Sequence, residues 1–207
     1  MVELFIRGGG FMWPILFVFI IGLMFVIERA ISLSKATVNT KQFVMKVNQT
    51  LNEQGVDAAK EICATTRGPI ASVFHAGLLR IDRGVEQVEK NIMNAGQIEL
   101  AFLEKNLVWL STVIAIAPML GFTGTVSGMV GAFDAIAAAN DIQPSIVADG
   151  ISQALLTTLF GLIVAMIIQF ANNFFVSMID KIVAEMQEAS VEFVDTLVAF
   201  EEKKGRK

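Results

Sequence analysis

Three stretches of the chain carry apolar side chains without a single charge: residues 8–27, 106–133 and 150–179, which are 20, 28 and 30 residues long. A helix needs about 20 apolar residues to cross a hydrocarbon layer of roughly 30 Å, so each stretch predicts one membrane-spanning helix. Between the first two the pattern turns amphipathic. The segment NTKQFVMKVNQTLNEQG opens at an Asn/Thr cap, repeats Phe43, Val44, Val47 and Leu51 at helical spacing and stops at Gly55. A second short helix is expected in VDAAKEICATTRG. A third begins with Pro69, which suits a first helical position, and presents Ile70, Val73, Phe74, Gly77, Leu78 and Ile81 on one side before ending at Gly84. Together these helices cover one small apolar patch, too little for a free-standing domain.

From Val85 the positions Val88, Ile92, Ala95, Ile98 or Glu99, Phe102 and Leu103 keep helical spacing without a break, predicting one helix that enters the second span unbroken. The third span continues in the same way at its far end. Ile179, Ile182, Val183, Met186, Ser190, Phe193, Val194 and Leu197 form a stripe at every third or fourth position. A helix from Ser145 to Glu201 would be about 85 Å long at 1.5 Å per residue. Such stripes need a neighbour, so the tails are expected to bundle with other helices or other subunits. The expected fold is an all-α integral membrane protein with three transmembrane helices, the second and third extending far into the cytoplasm.

Composition agrees with a lipid environment: 54% of the 207 residues are hydrophobic and the mean hydropathy is +0.62. Charge then sets direction. Of 16 Lys and Arg, ten lie from Arg29 to Lys105, five lie from Lys181 onward, Arg7 precedes the first span, and none lies between the second and third spans. The bias toward basic residues on the cytoplasmic side predicts a periplasmic segment 1–10, span 11–30, cytoplasmic segment 31–105, span 106–133, periplasmic connector 134–147, span 148–176 and cytoplasmic tail 177–207. The first span is read as uncleaved, because Glu28 and Arg29 follow it and no small-x-small cleavage site appears. The single cysteine, Cys63, is expected to be a buried hydrophobe, and the single histidine, His75, a packed or surface residue with no second ligand for a metal. No nucleophile, base or metal cluster converges, GGG at 8–10 precedes no phosphate-loop Lys, and a pI of 5.1 argues against a nucleic-acid surface.

The chemistry lies within the spans. Gly121, Gly124, Gly128 and Gly131 are spaced three, four and three apart and share one helix side with Thr125 and Ala132, a ridge that allows the close approach lipid-embedded helices require. Pro118 removes one helical hydrogen bond and leaves the carbonyl of Ile114 to find another donor. The third span has a matching face of Gly150, Ala154, Thr157, Thr158, Gly161, Ala165 and Asn172, edged by Gln153 and Gln169. Two such faces serve as packing surfaces, as walls of a partly hydrated path, or as both. The three charge-free stretches hold no Asp, Glu, Lys, Arg or His, so a chain of this kind that handles protons needs a partner to bring the ionisable group. The connector carries Asp134 and Asp141, with Asp149 just past its end, and no base. In a ring they would form a negative mouth, and otherwise they are ordinary solvated helix ends.

The order of EKNLVWLSTVIAIAPMLGFTGTVSGMVGAF and GISQALLTTLFGLIVAMIIQFANNFF resembles the ExbB/TolQ/MotA family of bacterial proton-channel proteins, and GGGFMWPILFVFIIGLMFVIER resembles that family's first span. Three spans and a short outer tail are more similar to ExbB or TolQ than to MotA. The resemblance implies a ring-forming homo-oligomer, a pentamer, in the bacterial inner membrane. It surrounds a single-span ExbD/TolR-like partner whose membrane aspartate carries the proton, with a TonB/TolA-like protein as a further partner. The implied activity is that of a proton-channel stator subunit energising outer-membrane transport or envelope maintenance, with no cofactor. Thr125 and Thr158 match the threonines that line the ring. Pro118, Thr157 and Gln153 are assigned to the same pathway, Gln153 standing where many relatives carry Glu, and Gly121, Gly124, Gly128, Gly131 and Gly161 to helix packing. A structural scaffold that gathers cytoplasmic partners without conducting ions is the competing function. A neighbouring single-span protein with a membrane aspartate distinguishes the two.

Overall fold

The computed structural model describes residues 2–37, 39–139 and 144–205. These form α1 (Val2–Arg7), α2 (Met12–Ala36), α3 (Thr40–Glu53), α4 (Val56–Thr65), α5 (Pro69–Leu78), a 3-10 turn (Ile81–Arg83), α6 (Val85–Glu104), α7 (Leu107–Ala139) and α8 (Pro144–Gly205). Three stretches of helix, within Met12–Glu53, Val85–Ala138 and Val147–Phe200, are long and apolar enough to cross a membrane.

The chain divides into two compact units, the first comprising Met1–Arg29 with Asn106–Phe174 and the second Ala30–Lys105 with Phe175–Lys207. In the first unit α2, α7 and α8 meet through small residues. A Cβ on Gly22 of α2 would lie 2.9 Å from Ile168 Cδ1 and 3.1 Å from Val113 Cγ1, so the absence of a side chain there admits both neighbours. Leu110, Val113, Ala117, Val164 and Ile168 fill the space between the helices. Phe25 and Trp109 stack with centroids 5.9 Å apart and planes 4° from parallel. Large apolar residues on the other faces, among them Phe122, Phe133, Leu155 and Phe170, remain exposed.

The second unit has its own core. Phe43, Val44, Val47 and Leu51 of α3 meet Phe74 and Leu78 of α5, Val88 and Ile92 of α6, and Met186, Phe193 and Leu197 of α8. Phe74 and Phe193 stack at 4.1 Å. The striped tail thus finds its neighbour in the same chain. It supplies the surface that the short helices lack, which is why a patch too small to stand alone becomes a compact unit. Asn39 caps α3 by accepting from the Gln42 amide at 3.3 Å. Cys63 is buried at 2% exposure, and burial pushes its thiol up to about 12.

Two boundaries differ from the sequence expectation. The third short helix ends at Leu78, not at Gly84. The Arg80 amide donates back to the Gly77 carbonyl at 2.9 Å, and the backbone tightens into the 3-10 turn before Gly84, at φ 87°, reverses it. More consequential, the helix expected to enter the second span unbroken is interrupted at Lys105 and Asn106. Lys105 is extended at ψ 137°, and Asn106 is the one described non-glycine residue with positive φ, at 67°. Asn tolerates this left-handed conformation better than most residues. A second anchor holds it: Asn106 Nδ2 donates to Glu28 Oε2 at 3.2 Å, and Arg29, only 2% exposed, forks onto the same carboxylate through Nε at 2.9 Å and Nη2 at 2.8 Å. The expected stripe also fails near the break, for Ile98 and Phe102 are exposed while Leu103 is buried.

Candidate functional site: a threonine cluster between two spans

Close approach of α7 and α8 creates the site. A Cβ on Gly121 would lie 2.9 Å from the Thr157 carbonyl oxygen and 3.1 Å from Thr158 Cα; on Gly161 it would lie 2.6 Å from the Ala117 carbonyl oxygen. Real Cβ atoms do not approach backbone this closely, so both positions require glycine if the helices are to touch. A Cβ on Gly124 would lie 2.7 Å from the Thr157 side chain, and one on Gly128 would lie 3.2 Å from Ala154. Gly150 of α8 faces Ala132 and the Gly128 carbonyl. A Cβ on Gly131 would meet nothing within 4 Å among the described residues, so its place on the ridge leaves it outside this particular contact.

Backbone contact brings three hydroxyls to two carbonyls. Thr157, 1% exposed, donates from Oγ1 toward the Ala154 carbonyl at 2.7 Å and reaches the Gly121 carbonyl at 3.2 Å. Thr158 Oγ1 reaches the same Gly121 carbonyl at 3.3 Å. Thr125 Oγ1 lies 3.2 Å from both the Gly121 and the Ala154 carbonyls, and it pairs directly with Thr158 Oγ1. A hydroxyl has one proton to donate, so Thr125 and Thr158 each choose among several acceptors. Exchange between these choices needs only a rotation about the C–O bond. Both residues are half-buried while Thr157 is enclosed, so the Thr125–Thr158 pair forms the accessible edge of the cluster and Thr157 its inner support.

The other expected site residues are dispersed. Pro118 lies on α7 toward its start, half-buried. Gln153 does not join the hydroxyls. Its side chain lies against Gly9, whose φ of 73° and lack of a Cβ make room for the amide. Beside it, Arg7 Nη2 donates to Ser152 Oγ at 3.0 Å, tying the segment before α2 to the first turns of α8. Neither contact was foreseen, since both depend on the backbone turn at 8–10. Asp134 on α7 and Asp149 on α8 are exposed, and Asp141 lies outside the described residues.

Comparison with known proteins places the chain in a family. The model of the MotA/TolQ/ExbB proton channel family matches residues 65–188. A Methanothermobacter thermautotrophicus protein described as an ExbB homolog is 31% identical over 181 residues, covering 86% of this chain and 64% of its own. A Synechocystis protein described as ExbB-like is 29% identical over 169 residues, covering 80% of this chain and 66% of its own, so the chain spans just under two thirds of these relatives. The Tol-Pal system protein TolQ of Haemophilus influenzae is 35% identical over 92 residues, 42% of this chain and 40% of its own. The matched segment holds the whole threonine cluster and the glycines that create it, and the chain belongs to the MotA/TolQ/ExbB proton channel family.

Proposed function

We propose that this chain is the ring-forming channel subunit of a proton-driven membrane motor. The observation that carries the reading is the Thr125–Thr158 hydroxyl pair, held half-buried between two spans that contain no ionisable side chain. A carboxyl group entering such a site gains from hydroxyls in either of its states. As an acid it donates to a threonine lone pair; as a carboxylate it accepts a threonine proton, which offsets part of the cost of placing charge in a low dielectric. The threonines need not titrate. They keep the two states of a visiting carboxyl close enough in free energy for a proton to load and leave.

The missing carboxyl defines the partner: an ExbD/TolR-like single-span protein with an aspartate at the depth of Thr125 and Thr158, enclosed by a ring of five copies of this chain. A TonB/TolA-like protein would carry the motion onward to outer-membrane transport or envelope maintenance. The N-terminus and the connector after α7 face the periplasm, and the second unit faces the cytoplasm. Asp134 and Asp149, exposed near the connector, concentrate cations at the entrance. Gln153, bound against Gly9, positions the outer end of α8 and carries no proton.

The test is reconstitution of this chain with its single-span partner in liposomes under an imposed proton gradient. Proton uptake should require both proteins and disappear when the partner's membrane aspartate becomes asparagine. Uptake by neither complex would favour a scaffold.

A further inference from the structure

The face of α8 that carries Thr158 does not become apolar toward its other end. Gln169, Asn172 and Asn173 lie 11, 14 and 15 positions beyond Thr158, which on a 3.6-residue helix places them within about 20°, 40° and 60° of it. The face of α7 that carries Thr125 continues through Pro118 to Ile114 in the same way. Between these continuations is an open groove of about 340 Å³, mainly apolar in Ile114, Pro118, Ala165, Met166 and Phe170, into which Gln169 and Asn173 bring the polar groups. It lies wholly within the first unit and within the charge-free stretches.

Its polar groups are incompletely matched. Gln169 Nε2 donates to Asn173 Oδ1 at 2.7 Å, and among the described residues nothing accepts from the Asn173 amide nitrogen. Asn172, adjacent in sequence but outside the groove's lining, has its Oδ1 buried without a donor. Across the groove Pro118 has no N–H to give the Ile114 carbonyl. Lipid tails supply neither donors nor acceptors, and an unmatched amide in hydrocarbon costs several kcal/mol. The groove therefore needs an occupant that both donates and accepts and that is small enough to reach groups on two helices. Water meets each requirement, and the space is far larger than the roughly 10–15 Å³ a single water needs.

We infer that the Gln169–Asn173 groove is a second hydrated station on the proton path, in line with the Thr125–Thr158 pair along the same helix faces. It lies roughly 17–23 Å beyond Thr158 at about 1.5 Å per residue, on the side from which a proton released at the threonines must leave. The amides hold water and do not themselves gain or lose protons. This rests on the proposed function, and it adds the exit half of the route.

Cysteine accessibility tests it in the intact complex, because Cys63 is buried with its thiol pushed up to about 12 and stays silent. Thiols react with a water-soluble methanethiosulfonate only as thiolates in contact with water, so Gln169→Cys and Asn173→Cys should be labelled at least about tenfold faster than Ile167→Cys on the opposite face. Equal rates would overturn the inference and mark the amides as a dry contact with another helix. In proteoliposomes Asn173→Leu should lower proton flux about tenfold while Asn173→Gln keeps most of it, as loss of a hydrogen-bonding amide predicts; unchanged flux in Asn173→Leu would also overturn it. Labelling reads water whether or not the complex conducts. A dry groove therefore sinks this inference alone, and a non-conducting complex sinks the reading beneath it.

Discussion

Two threonines one residue apart have different work. Thr157 is enclosed and bonds two carbonyls, while Thr158 is half-buried and shares its hydroxyl with Thr125. Thr157→Val removes a buried donor from acceptors that keep their helical partners, so it should cost about 1 kcal/mol of stability. Thermal unfolding in detergent would read that loss, and a conduction defect larger than the stability change would contradict the division of roles. Both threonines were visible in the sequence as members of one polar face. Which of them is enclosed was not, because that depends on how far Gly121 lets the helices approach. Cys63 makes a simpler case. Its thiol ionises in the folded chain only near pH 12, whereas an ordinary thiol has a value of 9.0. The raised value favours the folded state below pH 9.0, and that contribution is lost as pH climbs toward 12. Alkylation at pH 8 should accordingly be slow in the native protein and fast in denaturant, and rapid native labelling would mean that the core around Cys63 opens.

At the level of single helices, glycine position decides the outcome. A methyl at Gly161 would sit 2.6 Å from the Ala117 carbonyl oxygen, where backbone must shift, whereas Gly131 has open space. Gly161→Ala should destabilise the α7–α8 contact by about 1–3 kcal/mol. Gly131→Ala should be neutral in an isolated chain, within about 0.5 kcal/mol. Comparing the two melting temperatures checks this, and equal losses would mean the ridge acts as one surface. Sequence spacing revealed the ridge as a whole and could not separate its members. The break between α6 and α7 was less legible still. No Gly or Pro lies between Gly96 and Pro118 to announce a stop, and the helix ends through the extended Lys105, the positive φ of Asn106 and its bond to Glu28. A β-branched residue pays about 1–2 kcal/mol in that conformation, so Asn106→Val should lower thermal stability more than Asn106→Gly does.

At the scale of the whole chain, the sequence divides its work between two units that use different physics. The first holds together by close backbone contact through glycine with a few large side chains such as Leu110 and Ile168 between the helices, while many others, Phe122 and Phe170 among them, are exposed. The second has a conventional apolar core that closes only when the tail of α8 contributes Met186, Phe193 and Leu197. Phe193→Ala should therefore cost about 3–5 kcal/mol and raise hydrogen exchange through α3 to α6. The three spans, the charge bias and the lack of a carboxylate within the spans were legible in the sequence, because they follow from where apolar and charged residues fall along it. The turn that seats Gln153 against Gly9 and the orphaned oxygen of Asn172 were not, since each depends on where backbone from distant segments arrives. The central claim is that the Thr125–Thr158 hydroxyls serve a carboxyl brought by a partner. Proton flux through the reconstituted two-protein complex tests it most directly. Thr158→Val should assemble normally and conduct at least about tenfold less than the unsubstituted complex, with Thr158→Ser restoring most of the flux, as expected where a hydroxyl and not its methyl is required. Full conduction by a Thr125→Val, Thr158→Val double variant would contradict it.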